Sequence, residues 1–392
     1  MRKKFEFIYN WFEKAGQFIV RFRWIVISVL ALILVVAILG LPKIELDIST
    51  DDWFKEGEQL KQTQEDFEKL IKQWKKLGIN TIFCSIELYS NSEFRTLTRD
   101  NDLTTFIIFP VFYDPEALSK NPGLYALTER GTPARDDWVT FVCPSRNDYR
   151  KQKTDSLTQL IRVLEPDGIS IDFIRHFVFW EKVYPEIHPD SLMNTCFDSS
   201  CVAAFKKNKG LIIPDSLNET EKIADYVESN CLTERTEWKC GLITSMVREL
   251  SEAARRTNPE IKINVHLVPW RTDDFNGSIR SIAGQDFTEI APWVDYLSPM
   301  TYAHMVKQDP AWIHSVVQDV YNQTESQVIP SIQVKEAYLK ERLTLEEFKE
   351  SLSRALESPS CGVVFWSWEQ LETEPEKMEA IIQLVQSKRG ER

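Results

Sequence analysis

Between residues 80 and 366 the chain returns eight times to a short apolar run. The runs are "NTIFCSI" (80–86), "TTFIIFPVF" (104–112), "VTFVC" (139–143), "GISIDFI" (168–174), "INVHLV" (263–268), "YLSPM" (296–300), "VIPSIQV" (328–334) and "GVVFW" (362–366). Each is dominated by aliphatic and aromatic residues, so each reads as a strand covered on both faces, the habit of parallel sheets. Parallel neighbours need a long crossover, usually a helix. Helical patterns supply it: "DSLTQLIRVLEP" after the third run, "AWIHSVVQDVYNQ" after the sixth, "TLEEFKESLSRALES" after the seventh and "EPEKMEAIIQLVQSK" after the eighth. Thr344, followed by Glu346 and Glu347, is a helix start. Eight strand–helix units predict an α/β fold, a (β/α)8 TIM barrel, with a short first connection and an insertion at about 176–262.

One stretch stands outside this rhythm. Residues 24–42, "WIVISVLALILVVAILGLP", carry no charge over a length that spans a bilayer. Arg2, Lys3, Lys4, Lys14, Arg21 and Arg23 precede it, and Glu45, Asp47, Asp51 and Asp52 follow. The positive-inside rule puts the N-terminus in the cytoplasm and the barrel outside. A long polar lead-in and the lack of a small-x-small cleavage site favour an uncleaved anchor over a signal peptide. The expected layout is a cytoplasmic segment (1–23), a single transmembrane helix (24–42), a charged stalk (43–70) and the barrel domain (71–388).

A net charge of −12 excludes nucleic acid as a partner. No GxGxxG, P-loop or HExxH pattern is present, so neither cofactor nor catalytic metal is expected. Of the seven cysteines, Cys196, Cys201, Cys231 and Cys240 fall in the insertion. Outside the cytoplasm they are disulfide candidates, with zinc the rival, though no His stands at a useful spacing. Cys84, Cys143 and Cys361 sit in apolar runs and read as small core residues.

Active sites of such barrels lie at the C-terminal ends of the strands. Following the eight runs in turn, those ends bring Glu87; Tyr113 and Asp114; Ser145 and Arg146; Asp172, Arg175 and His176, with Trp180 and Glu181; Trp270, Arg271, Asp273 and Asp274; Tyr302 and His304; Gln333 and Glu336; and Trp366, Trp368 and Glu369. Rings to stack on sugars and carboxylates to move protons suit a carbohydrate substrate. Asp114, Asp273 and Asp274 also fit helix N-caps, and His266 reads as a core histidine. Asp172 is different: an unpaired carboxylate is costly inside an apolar strand. Arg175 is its expected partner, either holding it ionised for chemistry or closing the barrel top as a structural ion pair.

"DGISIDFIRH" (167–176), "VDYLSPMTYAHM" and "GVVFWSW" resemble strands four, six and eight of glycoside hydrolase barrels. Asp167, Gly168, Ile169, Asp172, Ile174 and Arg175 match a DGIxxDxIR pattern of a glycoside-hydrolase-like group. The family 18 chitinases, with DGxDxDxE, are a more distant likeness: Asp167, Gly168 and Asp172 are kept, but Ser170 and Ile174 replace the middle Asp and the catalytic Glu. Their MxYD becomes Met300, Tyr302 and Ala303, and their strand-eight Trp matches Trp366. The resemblance implies glycosidic-bond hydrolysis centred on Asp172. The proton donor must then come from Glu87, Glu181 or Glu369, and Glu181 beside Trp180 and Glu369 beside Trp368 are the two that an indole could tune by desolvation. Arg175, His176, Glu87, Asp114, Trp270, Tyr302, Trp366 and Trp368 complete the expected glycan site. A barrel that binds glycans without cleaving them is the alternative. Residues 1–70 resemble the first transmembrane helix and following segment of the resistance-nodulation-division (MMPL-like) transporters, which implies the bilayer and a membrane complex as partners. No second span follows, so the segment reads as an anchor.

Overall fold

The computed structural model describes residues 64–390 apart from Asp215. The expected cytoplasmic segment, anchor and most of the stalk lie outside the described residues. Among the described residues no helix is long and apolar enough to cross a membrane. The last residues assigned to the stalk belong to helix α1 (Gln64–Lys76). Its Phe67, Ile71 and Trp74 form a buried stripe at helical spacing. Phe67 and Trp74 meet Phe94 of α2 (Ser92–Asp100) edge-on at 5.5 and 6.3 Å.

The sheet is parallel and curled. β1 (Thr81–Cys84), β2 (Thr104–Pro110), β3 (Gly168–Asp172), β4 (Lys262–Leu267), β5 (Tyr296–Pro299) and β6 (Gln327–Val328) pair in that order. Past Pro330 the chain continues as β7 (Ser331–Gln333), which pairs with β8 (Val364–Trp366). Bridges from Met300 to Ser331 and from Val328 to Ser360 join the two pieces. Helices α3 (Asn147–Leu164), α4 (Ser199–Lys209), α5 (Thr220–Asn230), α6 (Leu232–Thr257), α7 (Ala311–Thr324), α8 (Leu345–Ala355) and α9 (Pro375–Gly390) complete the main elements.

Ring contacts show the curl. Phe83 on β1 lies 6.1 Å from His266 on β4, and Phe106 on β2 lies 6.1 Å from Tyr296 on β5. A flat sheet would hold β1 and β4 about 14 Å apart. Inside, Asn264 donates to Ser170 at 2.9 Å and accepts from Ser298 at 2.7 Å, a fully buried polar row across β3, β4 and β5. Outside, Ile169, Ile171, Ile263, Val265 and Leu267 are buried. Strand alternation thus puts Asp172, two residues past Ser170, on the interior side.

The third expected barrel strand is not in the sheet. β2 pairs directly with β3, Phe106 opposite Gly168 through Pro110 opposite Asp172. Val139–Thr140 instead forms a two-residue antiparallel ladder with Arg135–Asp136, and the Val142 N–H donates to Phe112 O at 2.8 Å. Val139, Phe141, Val142 and Cys143 are apolar because the segment is fully buried over the end of β2, not because it is a barrel stave. Among the described residues the sheet therefore has seven staves, counting β6 and β7 as one. The insertion is also shorter than expected, since α6 packs against α3 as the ordinary crossover helix between β3 and β4.

Asp167 and Gly168 act at the base of the sheet. Asp167 Oδ2 accepts both the N–H and the hydroxyl of Thr105 at 2.8 and 2.9 Å. At the same level Asp295 accepts the N–H of Ile263 at 2.9 Å. Gly168 leaves room for Phe106, since a Cβ there would sit 2.3 Å from a ring carbon.

Candidate active site

β3 ends at Asp172, whose Oδ1 accepts the Phe173 N–H at 2.6 Å. Phe173 then takes φ +48°, a left-handed turn rare outside glycine. This bend launches the loop that holds Arg175 and Glu181. Arg175 is buried between rings, its guanidinium 4.9 Å from Phe141 and 5.2 Å from Phe173, and it donates to Val178 O at 3.3 Å. Among the described residues no ion pair joins Arg175 to Asp172. The arginine is close enough for its charge to act on Glu181 and on Asp172, Glu181 first.

Glu181 lies in the short turn Trp180–Lys182 and is 8% exposed. Burial pushes its carboxyl up to about 7; Arg175 pulls it down and Asp172 adds to the rise. Its Oε2 is buried with no hydrogen-bond partner in the protein. That is the state of a proton donor near neutrality. Tyr302 completes the group: burial raises its phenol well above the usual range, and Asp172 and Glu181 add to the effect. Its ring stacks on Trp366 at 4.9 Å and meets Trp180 at 5.8 Å. His266 is held below its ordinary value by burial, against the opposing pull of Asp172.

Asp172, Arg175, Glu181, Tyr302 and Trp366 thus neighbour one another. The other expected residues are engaged elsewhere. Glu87 is exposed in the first turn of the helix Ile86–Ser90. Asp114 caps the helix Pro115–Lys120 through the Ala117 N–H and is bound by Tyr149 and Lys153 at 3.0 and 2.9 Å; its pKa falls, since Lys153 and these hydrogen bonds together outweigh the largest single influence, burial. His176 is buried against Gly284, and burial with Lys239 and Arg235 drives its pKa well down. Trp270 is buried against Phe275 at 5.2 Å. Trp368 meets Trp74 of α1 edge-on at 5.8 Å, and Glu369 next to it is exposed. Adjacency to a Trp in sequence did not bury Glu369, because neighbours on a helix point different ways.

Three aromatics beside the group, Trp138, Phe179 and Tyr338, had no assigned role in the sequence, whereas Tyr113 was read at the end of the second run. Trp138 Nε1 donates to the Tyr338 hydroxyl at 2.7 Å. Trp138 also meets Tyr113 and Phe179 edge-on at 5.6 and 5.9 Å, and Tyr113 stacks on Phe173 at 4.7 Å. Tyr113, Trp138 and Tyr338 keep part of their surface in solvent. The legible signal was Trp138 itself, an indole in the polar stretch "ARDDWVT" with no apolar pattern to serve.

No protein-family model matches the chain, and no curated protein does. Solved structures do. The PgaB (BpsB) glycoside hydrolase domain of Bordetella bronchiseptica superposes with a TM-score of 0.61 at 12% identity, over 84% of this chain and 94% of that one. A β-galactosidase of the psychrophilic Marinomonas ef1 gives 0.60 at 11% identity, over 84% of this chain and 58% of that one. Gan42B, a GH42 β-galactosidase of G. stearothermophilus, gives 0.55 at 12% identity, over 86% and 56%. The chain spans little more than half of these galactosidases but nearly all of the PgaB domain. At such identities the likeness is one of fold: this α/β chain, with its curled parallel sheet, has the barrel-like fold of glycoside hydrolases.

Proposed function

We propose that the chain is a membrane-anchored, extracytoplasmic glycoside hydrolase acting on a polysaccharide or glycan. Glu181 is the general acid that protonates the glycosidic oxygen. Asp172 is the carboxylate that stabilises the oxocarbenium-like transition state or attacks it. Trp366, with Tyr302 behind it, and the Trp138–Tyr338 pair offer stacking faces for sugar rings. Arg175 tunes Glu181 from behind without reaching substrate. The observation that carries this reading is Glu181: a buried carboxyl, raised to about 7 and coupled to a second carboxylate at the end of a barrel strand. Uncharged residues 24–42 support the anchor, and their flanking charges support the orientation.

A panel of fluorophore-labelled oligosaccharides incubated with the chain tests the proposal. Release of a shortened labelled product is expected from at least one glycan. Retention of a glycan without any cleavage would overturn the hydrolase and leave a binding barrel.

A further inference from the structure

Three cysteines and an aspartate from separate stretches of sequence meet at one buried point. Cys143 follows the short hairpin, Cys196 and Asp198 lie in the insertion, and Cys201 is in the first turn of α4. Their ligand atoms all lie within 4.8 Å of one another, and all four residues are buried. The three thiols are free. We propose that this cluster is a structural zinc site that ties the insertion to the buried segment over the end of β2. The cluster shares no residue with the group around Asp172 and Glu181, and the inference does not depend on the sugar reading.

The chemistry of the donor set fits. Structural zinc takes four side-chain ligands, sulfur at about 2.3 Å, which places tetrahedral donors about 3.8 Å apart. The present spacing needs a contraction of about 1 Å at its widest. Asp198 is already aimed. Its Oδ1 accepts from the Cys201 N–H at 3.1 Å, Ser200 Oγ at 2.8 Å and Arg146 Nη2 at 3.0 Å. Its Oδ2 accepts from the Cys196 thiol at 2.8 Å. Binding releases the three thiol protons to solvent, and Oδ2 exchanges an S–H donor for the cation. The Leu127 N–H, which donates to Cys196 Sγ at 3.3 Å, would stay to orient the thiolate.

Charge supplies an independent argument. Three thiolates, one carboxylate and Zn²⁺ sum to −2. Two arginines stand at the cluster. Arg146 pairs with Asp198 at 3.0 Å. Arg235, 1% exposed and enclosed by Phe197, Phe205 and Trp238, donates to the Cys196 carbonyl at 2.5 Å. Among the described residues Arg235 has no ion pair, and its Nε is buried without a partner. A buried guanidinium is costly without an anion. A dianionic zinc–thiolate centre provides one.

The test uses the full chain, purified with reductant and without chelator. Elemental analysis should find one zinc per chain, and thiol titration after unfolding with chelator should count all seven cysteines. Cobalt in place of zinc should give sulfur-to-metal charge-transfer absorption. Cys201→Ser and Asp198→Asn should each lower metal occupancy at least tenfold, while Cys361→Ser, remote from the cluster, should keep it. Five thiols and no metal would mean a disulfide and would overturn the site. Seven thiols with no zinc or cobalt uptake from an equimolar solution would overturn it as well. Should Cys201→Ser fail to fold, the metal content and thiol count of the unmodified chain decide.

Discussion

Glu181 separates itself from the other carboxylates by what surrounds it. Glu87 and Glu369 keep their side chains in solvent, Asp114 is spent on a helix cap, and Glu181 alone of the expected donors is buried beside a cation. Its folded value of about 7 lies above the ordinary 4.5. In the proposed mechanism the protonated acid is the active form, so kcat/KM should fall about tenfold per pH unit above about 7, and Glu181→Gln should erase that limb with the residual rate. Stability follows the same proton. The folded chain binds it more tightly than the unfolded chain, so this contribution is fully present below pH 4.5 and is lost as pH rises through 7. Above 7 the ionised carboxyl costs on the order of 3 kcal/mol. Glu181→Gln should therefore melt higher than the parent at pH 8 and show little difference at pH 5; equal melting curves at both would refute the shift. Arg175 lowers Glu181, so Arg175→Met should move the kinetic limb to higher pH; an unmoved limb would show that the arginine only packs. Asp172 was legible because a carboxylate in a strand is expensive. Glu181 was legible only as one of three, since burial is set by a loop whose path no local pattern records.

The staves were mostly readable, because apolar runs between helical patterns can do little else. The misreading of 139–143 has a physical cause: a fully buried loop and a fully buried strand have the same composition. The base of β3 shows the finer determinants. Gly168 is there for Phe106, and Asp167 for the amide and hydroxyl of Thr105, so the first half of the "DGISIDFIRH" motif holds the sheet and only its later residues serve the site. Gly168→Ala should cost about 1–3 kcal/mol in chemical denaturation. Adding Phe106→Leu should recover part of that loss; no recovery would place the strain elsewhere. The cysteine cluster could not be read in advance, because Cys143 stands far in sequence from Cys196 and Cys201 and only the fold of the insertion brings them together.

At the scale of the molecule, the charges that flank the uncharged stretch 24–42, basic before it and acidic after it, are the basis of the proposed topology. The full chain should stay with membranes through an alkaline wash and leave them only in detergent, and an N-terminal sequence beginning beyond residue 42 would show that the leader is cleaved. The barrel-like fold is a scaffold whose strand ends gather two carboxylates and a wall of rings, which the proposed topology would place on the outer side of the membrane. Fold class followed from the rhythm of the sequence; which carboxylate meets which followed only from the curl of the sheet and the bend at Phe173. Turnover of a cleaved oligosaccharide by Asp172→Asn and by Glu181→Gln, alongside the melting temperature of each, reaches the pair directly. Both variants should remain folded and lose about 10²–10⁴-fold in kcat/KM. Undiminished turnover in either one, with the fold intact, would show that the two carboxylates do not perform the cleavage.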